Sequence, residues 1–173
     1  MIRLEKINHS DFSQIVEWNK NTSPLFLQQW AGREYRFPLS VNQLKAHFSY
    51  NEVNKNGSSN FTYKIINEKN KMIGCIDLLR INYEKRHATV GKFLIGEKQN
   101  RNKGYGKQTM KETLKIAFEK LELQKVRLCV YDFNHPAISC YESVGFKKDS
   151  FVKNVCTLES GQNAGCFLMH IEK

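Results

Sequence analysis

Val130-Tyr131-Asp132-Phe133-Asn134-His135-Pro136-Ala137-Ile138-Ser139-Cys140-Tyr141-Glu142-Ser143-Val144-Gly145-Phe146 reads as the end of a strand, a capped helix and its stop. Asn134 suits the cap and Pro136 the first turn, where a missing NH does no harm. Ala137, Cys140, Tyr141 and Val144 share one face, and Gly145 stands where a left-handed residue closes a helix. By itself Tyr141 fits a core position, with its ring packed and its hydroxyl satisfied.

Upstream, Gln99-Asn100-Arg101-Asn102-Lys103-Gly104-Tyr105-Gly106-Lys107 sets two glycines among cations between a strand-like run at 88–95 and a helix. Met110, Leu114, Ala117, Phe118 and Leu121 recur at the spacing of that helix. The first NH groups of a helix lack internal partners and carry its positive dipole end, so a glycine-rich entry admits a phosphate closely. Two familiar phosphate motifs fail here. A dinucleotide fingerprint needs glycine where Thr109 stands, and a P-loop needs Ser or Thr where Gln108 stands. Arg101-x-x-Gly104-x-Gly106 remains, a pattern that alone also fits a solvated basic turn.

Order and spacing join the two stretches. Arg101-x-x-Gly104-x-Gly106, followed about 30 residues later by Asn134-x-x-Ala137-x-x-x-Tyr141-x-x-x-Gly145-Phe146, resembles the GNAT-type N-acetyltransferases. The likeness is firm over residues 72–148, and the segment 77–106 looks like the polyamine and ribosomal-protein acetyltransferase branches. Many relatives carry glycine at Asn102; asparagine tolerates positive φ best among the other residues, so the cradle should still form. The resemblance implies an acyl-CoA N-acyltransferase fold of the α+β class. This is a mostly antiparallel sheet of about 6–7 strands with a splayed parallel pair, flanked by about four helices, in one domain spanning 1–173.

What it implies for the site is specific. Acetyl-CoA lies where the parallel strands part, its pantetheine against the backbone of Leu94, Ile95 and Gly96. Its diphosphate meets backbone NH groups from Arg101, Asn102, Lys103, Gly104, Tyr105, Gly106 and Lys107, with Arg101, Lys103 and Lys107 adding positive field. Asn134 holds the pantetheine or a neighbouring backbone group. A neutral amine attacks the thioester, an NH near Leu94 polarises the carbonyl, and Tyr141 is the candidate acid for the departing thiolate. The base stays open among Glu34, Asp77, Glu84 and His87, each of which also reads as an ordinary loop or paired residue.

Composition agrees with this picture and narrows it. With 173 residues and 40% apolar content, the chain is long enough for a continuous core. Lys and Arg number 27 against 17 Asp and Glu, for a net charge of +10. That surplus is dispersed, and without a recognition motif it argues against a specific nucleic-acid partner. Cys75, Cys129, Cys140, Cys156 and Cys166 show no metal-ligand spacing and read as buried free thiols, so no metal is expected. No signal core or membrane-length run occurs, which points to a cytoplasmic protein.

Along the chain the expected order is a strand at 2–7, then a helix opening at Ser10 or Asp11 with Phe12, Ile15 and Val16 inward. An aromatic loop at 24–38 follows, and then a helix from Ser40 carrying Leu44 and Phe48, opened by a capping box. A polar segment at 54–60 leads into a meander of strands at 61–67, 72–79 and 88–95. After the cradle helix come a strand at 125–131, the Tyr141 helix and a last strand at 166–171. Trp30, Tyr35 and Phe37 either line an acceptor site or cap the core. The acceptor is a primary amine, either a small molecule such as a polyamine or amino sugar, or a protein N-terminus. A homodimer is left open, as is a catalytically silent acyl-CoA sensor.

Overall fold

The computed structural model describes residues 1–52, 59–158 and 160–173. Seven strands form one sheet: β1 (Arg3–Lys6), β2 (Ser59–Ile66), β3 (Met72–Asn82), β4 (His87–Ile95), β5 (Lys125–Tyr131), β6 (Lys147–Thr157) and β7 (Asn163–Glu172). Their spatial order is β1-β2-β3-β4-β5-β7-β6, with β4 and β5 parallel and the other neighbours antiparallel. This is the mixed sheet expected. No described helix is long and apolar enough to cross a membrane.

Two apolar layers sandwich the sheet. On one face, α4 (Tyr105–Lys115) and α5 (His135–Glu142) bury Met110, Leu114, Ile138 and Tyr141 against Ile76, Leu78, Val126 and Leu128. Beyond α4, a π turn over Ile116–Lys120 buries Ala117. On the other face, α1 (Phe12–Glu17), α2 (Pro24–Ala31) and α3 (Val41–Glu52) gather Phe12, Ile15, Leu27 and Leu44 around Cys75 and Leu94.

Local chemistry explains the starts. Before α1, the Asn8 side chain accepts from the Ser10 NH at 2.9 Å while the Asn8 NH donates to Asp11 Oδ2 at 2.9 Å, a reciprocal cap that frames a short 3-10 turn. At α3, Ser40 Oγ accepts from the Gln43 NH, but the Gln43 side chain bonds Arg36 and Pro38 instead of closing the box. The polar segment at 54–60 lies outside the described residues except for its end in β2.

Three expectations need correction. The stretch 24–38 is not all loop: Ser23 Oγ accepts from the Phe26 NH, Pro24 takes the first turn, and α2 follows. The segment after Gly145 holds β6, an edge strand whose residues are almost all exposed, so it carries no apolar alternation. The thiols are all free, but only Cys75, Cys156 and Cys166 are buried; Cys140 is half-buried and Cys129 exposed, because both lie beside the opening between β4 and β5.

One extra residue in β4 governs everything near the site. Cys75 pairs with Leu94 but Asp77 pairs with Gly91, so β4 carries a bulge, and Lys92 within it has φ 44°. A slip of one residue exchanges faces. Ahead of the bulge, Ala88 and Val90 point to the α4 layer; beyond it, Leu94 belongs to the α1–α3 layer while Phe93 and Ile95 pack toward α4. Just past β4, Gly96 lies flat under the Trp18 indole, where any Cβ would collide with the ring.

Candidate active site

β4 and β5 pair only at His87–Lys125, Ala88–Val126 and Thr89–Arg127. Beyond that the strands part, and a cavity of about 620 Å³ opens between residues 90–95 of β4 and 128–130 of β5. Its floor includes the cradle, through Arg101, Asn102, Gly104, Gly106 and Lys107, and its far wall includes Asn134, Cys140 and Tyr141. Phe26, Gln29 and Trp30 of α2 cover the remaining side.

The cradle is built by backbone geometry. Asn102 (φ 60°) and Gly104 (φ 77°) are both left-handed, and Gly104 opens α4 without any side-chain cap. The Arg101 NH donates to the Lys98 carbonyl at 3.0 Å and the first bond of α4 runs from the Gln108 NH to the Gly104 carbonyl at 3.0 Å, so the NH groups of residues 102–107 remain for a ligand or solvent. Left-handed residues in a turn of this kind are the backbone geometry from which anion-binding concavities are built. At Gly106 a Cβ would approach Cys140 Sγ to 3.3 Å, filling the space between loop and α5.

Arg101 spends its guanidinium on structure. Nε donates to the Ile95 carbonyl at 3.1 Å and Nη2 to the Gly96 carbonyl at 3.0 Å, with the plane 5.2 Å from the Phe26 ring centroid. It therefore ties the loop to the end of β4 as well as lending charge to the cavity. Leu94, Ile95, Asn134 and Lys107 also line the cavity. Gly96, Lys103 and Tyr105 do not: the Gly96 NH bonds the Ile73 carbonyl, and Lys103 and Tyr105 border a polar groove on the outer side, where the Tyr105 hydroxyl donates to Glu68 at 2.8 Å. Asn134 Oδ1 accepts from the Ala137 NH at 3.4 Å, so this side chain caps α5 while the residue lines the cavity.

Tyr141 is 8% exposed, with its ring centroid 6.4 Å from Phe93 and 6.0 Å from Phe146. Burial pushes its phenol above the ordinary value, with Cys140 and Cys129 adding to the effect. A phenol raised in this way keeps its proton throughout the working pH range.

The base candidates separate cleanly. Glu84 and His87 sit at the paired end of β4, away from the cavity. Trp30 borders both the large cavity and a small chamber of about 20 Å³ lined also by Tyr35, His47, Asp77 and Lys92. Phe37 is 40% exposed and lines neither. Asp77 Oδ2 lies 3.2 Å from Lys92 Nζ, which lies 2.6 Å from His47 Nε2. Glu34 Oε2 lies 3.5 Å from His47 Nδ1. Lys92 and His47 were not among the residues expected from sequence. The available signal was a cation on the buried phase of an alternating strand, in line with Ala88, Val90 and Leu94.

Comparison with known proteins places this geometry. A curated relative, the SPbeta prophage-derived uncharacterized N-acetyltransferase YokL of Bacillus subtilis (strain 168), is 27% identical over 138 residues, covering 79% of this chain and 75% of its own. Among solved structures, the spermidine N-acetyltransferase of Vibrio cholerae in complex with CoA and spermine is similar, with a TM-score of 0.81 at 22% identity over 99% of this chain and 95% of that one. A dodecameric structure of the same enzyme has a TM-score of 0.77 at 22% identity over 99% and 93%. Residues 2–147 match the model of the acetyltransferase (GNAT) domain, and the chain belongs to that family of N-acetyltransferases.

Proposed function

We propose that the protein transfers an acetyl group from acetyl-CoA to the primary amine of an acceptor carrying little other positive charge. The observation that carries this reading is the cavity between the parted strands, which runs unbroken from the cradle to Tyr141 and Lys92. The residues present fit the donor: the unbonded NH groups of 102–107 and Lys107 suit a diphosphate, and the edge of β4 at Leu94 and Ile95, left unpaired by β5, suits the amides of a pantetheine arm. When bound, acetyl-CoA supplies the activated thioester. The chain's own part is to orient the donor along β4, to offer an NH near Leu94 to the carbonyl oxygen, and to hold a protonated Tyr141 for the sulfur.

For the acceptor, charge decides. The Vibrio cholerae enzyme of similar fold binds spermine, a polycation. Here the described cavity lining carries Lys92, Arg101 and Lys107 and no carboxylate. A monoamine, an amino sugar or a protein N-terminus meets less repulsion there than a polyamine does. Calorimetric titration with CoA should show micromolar binding, and a thiol-release assay over a monoamine, an amino sugar, spermidine and an N-terminal peptide should rank spermidine last. Absence of CoA binding overturns the donor assignment; preference for spermidine overturns the acceptor assignment.

A further inference from the structure

Lys92 is an outlier in burial and in backbone. Its side chain is 6% exposed at the centre of a sheet, in a left-handed conformation that only the bulge permits. Together with Trp30 it borders both the large cavity and the small chamber behind it. From its ammonium a chain of polar contacts leads outward. His47 Nε2 is 2.6 Å away, His47 Nδ1 is 3.5 Å from Glu34, and the Glu34 side chain is 49% exposed. Asp77 Oδ2, at 3.2 Å, is the counter-ion on the inner side.

We propose that Lys92, His47 and Glu34 form the route by which the acceptor amine's proton leaves the site, with Asp77 positioning Lys92. The route rests on the acetyl-transfer reading, which requires an alkylammonium to be stripped before it can attack. The N–H bond of the acceptor breaks as one forms to Lys92 Nζ. In the same motion Lys92 gives a proton it already held to His47 Nε2, and His47 releases the one on Nδ1 to Glu34 and the solvent. One proton leaves, and no electrons change hands.

The surroundings suit this task. The groups facing the relay are Asp77 and Cys75 from β3, Lys92 from β4, Glu34 and Tyr35 from the α2–α3 connection, and His47 from α3. Burial pushes the Cys75 thiol and the Tyr35 phenol up, so both stay neutral. Burial, and then the Lys92 ammonium, lower His47 to about 4. The imidazole is therefore neutral in working conditions and accepts through Nε2, with its hydrogen assigned to Nδ1 from these partners.

Steady-state kinetics of the full chain test the route, using His47→Gln and Glu34→Gln with CoA affinity and thermal unfolding measured alongside. At pH 7 with an alkylamine, His47→Gln should lower kcat by about tenfold or more with CoA affinity unchanged, and Glu34→Gln by a smaller factor. Both deficits should shrink as pH approaches about 10, or when the acceptor is an α-amine of reference pKa about 8, because a neutral amine needs no proton exit. Equal losses at every pH and for every amine, or no loss in either variant, overturn the proposal. If His47→Gln fails to fold, Glu34→Gln on the exposed end decides by the same criterion. A wild-type protein that acetylates no amine refutes the acetyl-transfer reading instead, a result distinct from an active wild type with indifferent variants.

Discussion

Replacing Lys92 by methionine removes the cation from a buried pair while keeping the length of the stem. Asp77, with its side chain 3% exposed, is then left without its counter-charge in the middle of the sheet. Breaking a buried pair from one side costs about 3–5 kcal/mol, and solvent screening offers little relief at this depth. In a protein of this length that corresponds to a drop in Tm of roughly 6–20 °C. The pH dependence is the sharper signature. Burial already raises Asp77, and Lys92 is the largest influence holding it down, so its removal raises the carboxyl further. A carboxyl whose folded value lies above its unfolded one binds more protons when folded, so stability falls as pH rises between the two. The penalty in Lys92→Met should therefore grow with pH above the ordinary carboxylate range, because the variant binds a proton at Asp77 that its unfolded chain has released. Urea unfolding followed by the fluorescence of Trp18 and Trp30 at pH 5 and pH 8 measures this directly. Adding Asp77→Leu to Lys92→Met should restore most of the loss, since a buried pair exchanged for apolar groups is often neutral. The reasoning is refuted if Lys92→Met loses less than about 1 kcal/mol at pH 8, or if its pH profile runs parallel to wild type.

Three further outcomes follow from the site. Tyr141→Phe should lower kcat by about 10²-fold with CoA affinity unchanged; because burial raises the phenol, wild-type kcat should show no loss from Tyr141 ionisation up to about pH 10. Gly104→Ala has open space around its new methyl but a φ of 77°, so it should cost about 1–2 kcal/mol in urea unfolding, whereas Gly106→Val, crowding Cys140, should act mainly on CoA affinity measured by calorimetry. Arg101→Ala should destabilise the fold by about 1–3 kcal/mol through the freed Ile95 and Gly96 carbonyls, and Arg101→Lys should recover CoA affinity better than stability.

What was legible in the sequence was local. The Asn134 cap, the Gly145 stop and the left-handed Asn102 and Gly104 are set by neighbours a few residues away, and each stands where turn chemistry puts it. β6 was invisible because an exposed edge strand has no apolar period to betray it. α2 was masked by its aromatic content, although Ser23 and Pro24 are ordinary helix-start residues. The contacts of Lys92 come from β3 and α3, and only the finished fold unites them. A bulge cannot be counted from one strand alone, so the face on which Lys92 falls was beyond reach.

The contact between Trp18 and Gly96 has a consequence for how such a protein can be tuned. The indole is a spacer of fixed thickness between the N-terminal layer and the point where β4 hands over to the anion loop. A smaller ring or an altered tilt at the end of α1 lets that hinge settle, carrying the Ile95 and Gly96 carbonyls and their Arg101 clamp with it. The shape of the cavity can thus drift through substitutions in a helix that does not line it, while every residue of the loop itself stays unchanged.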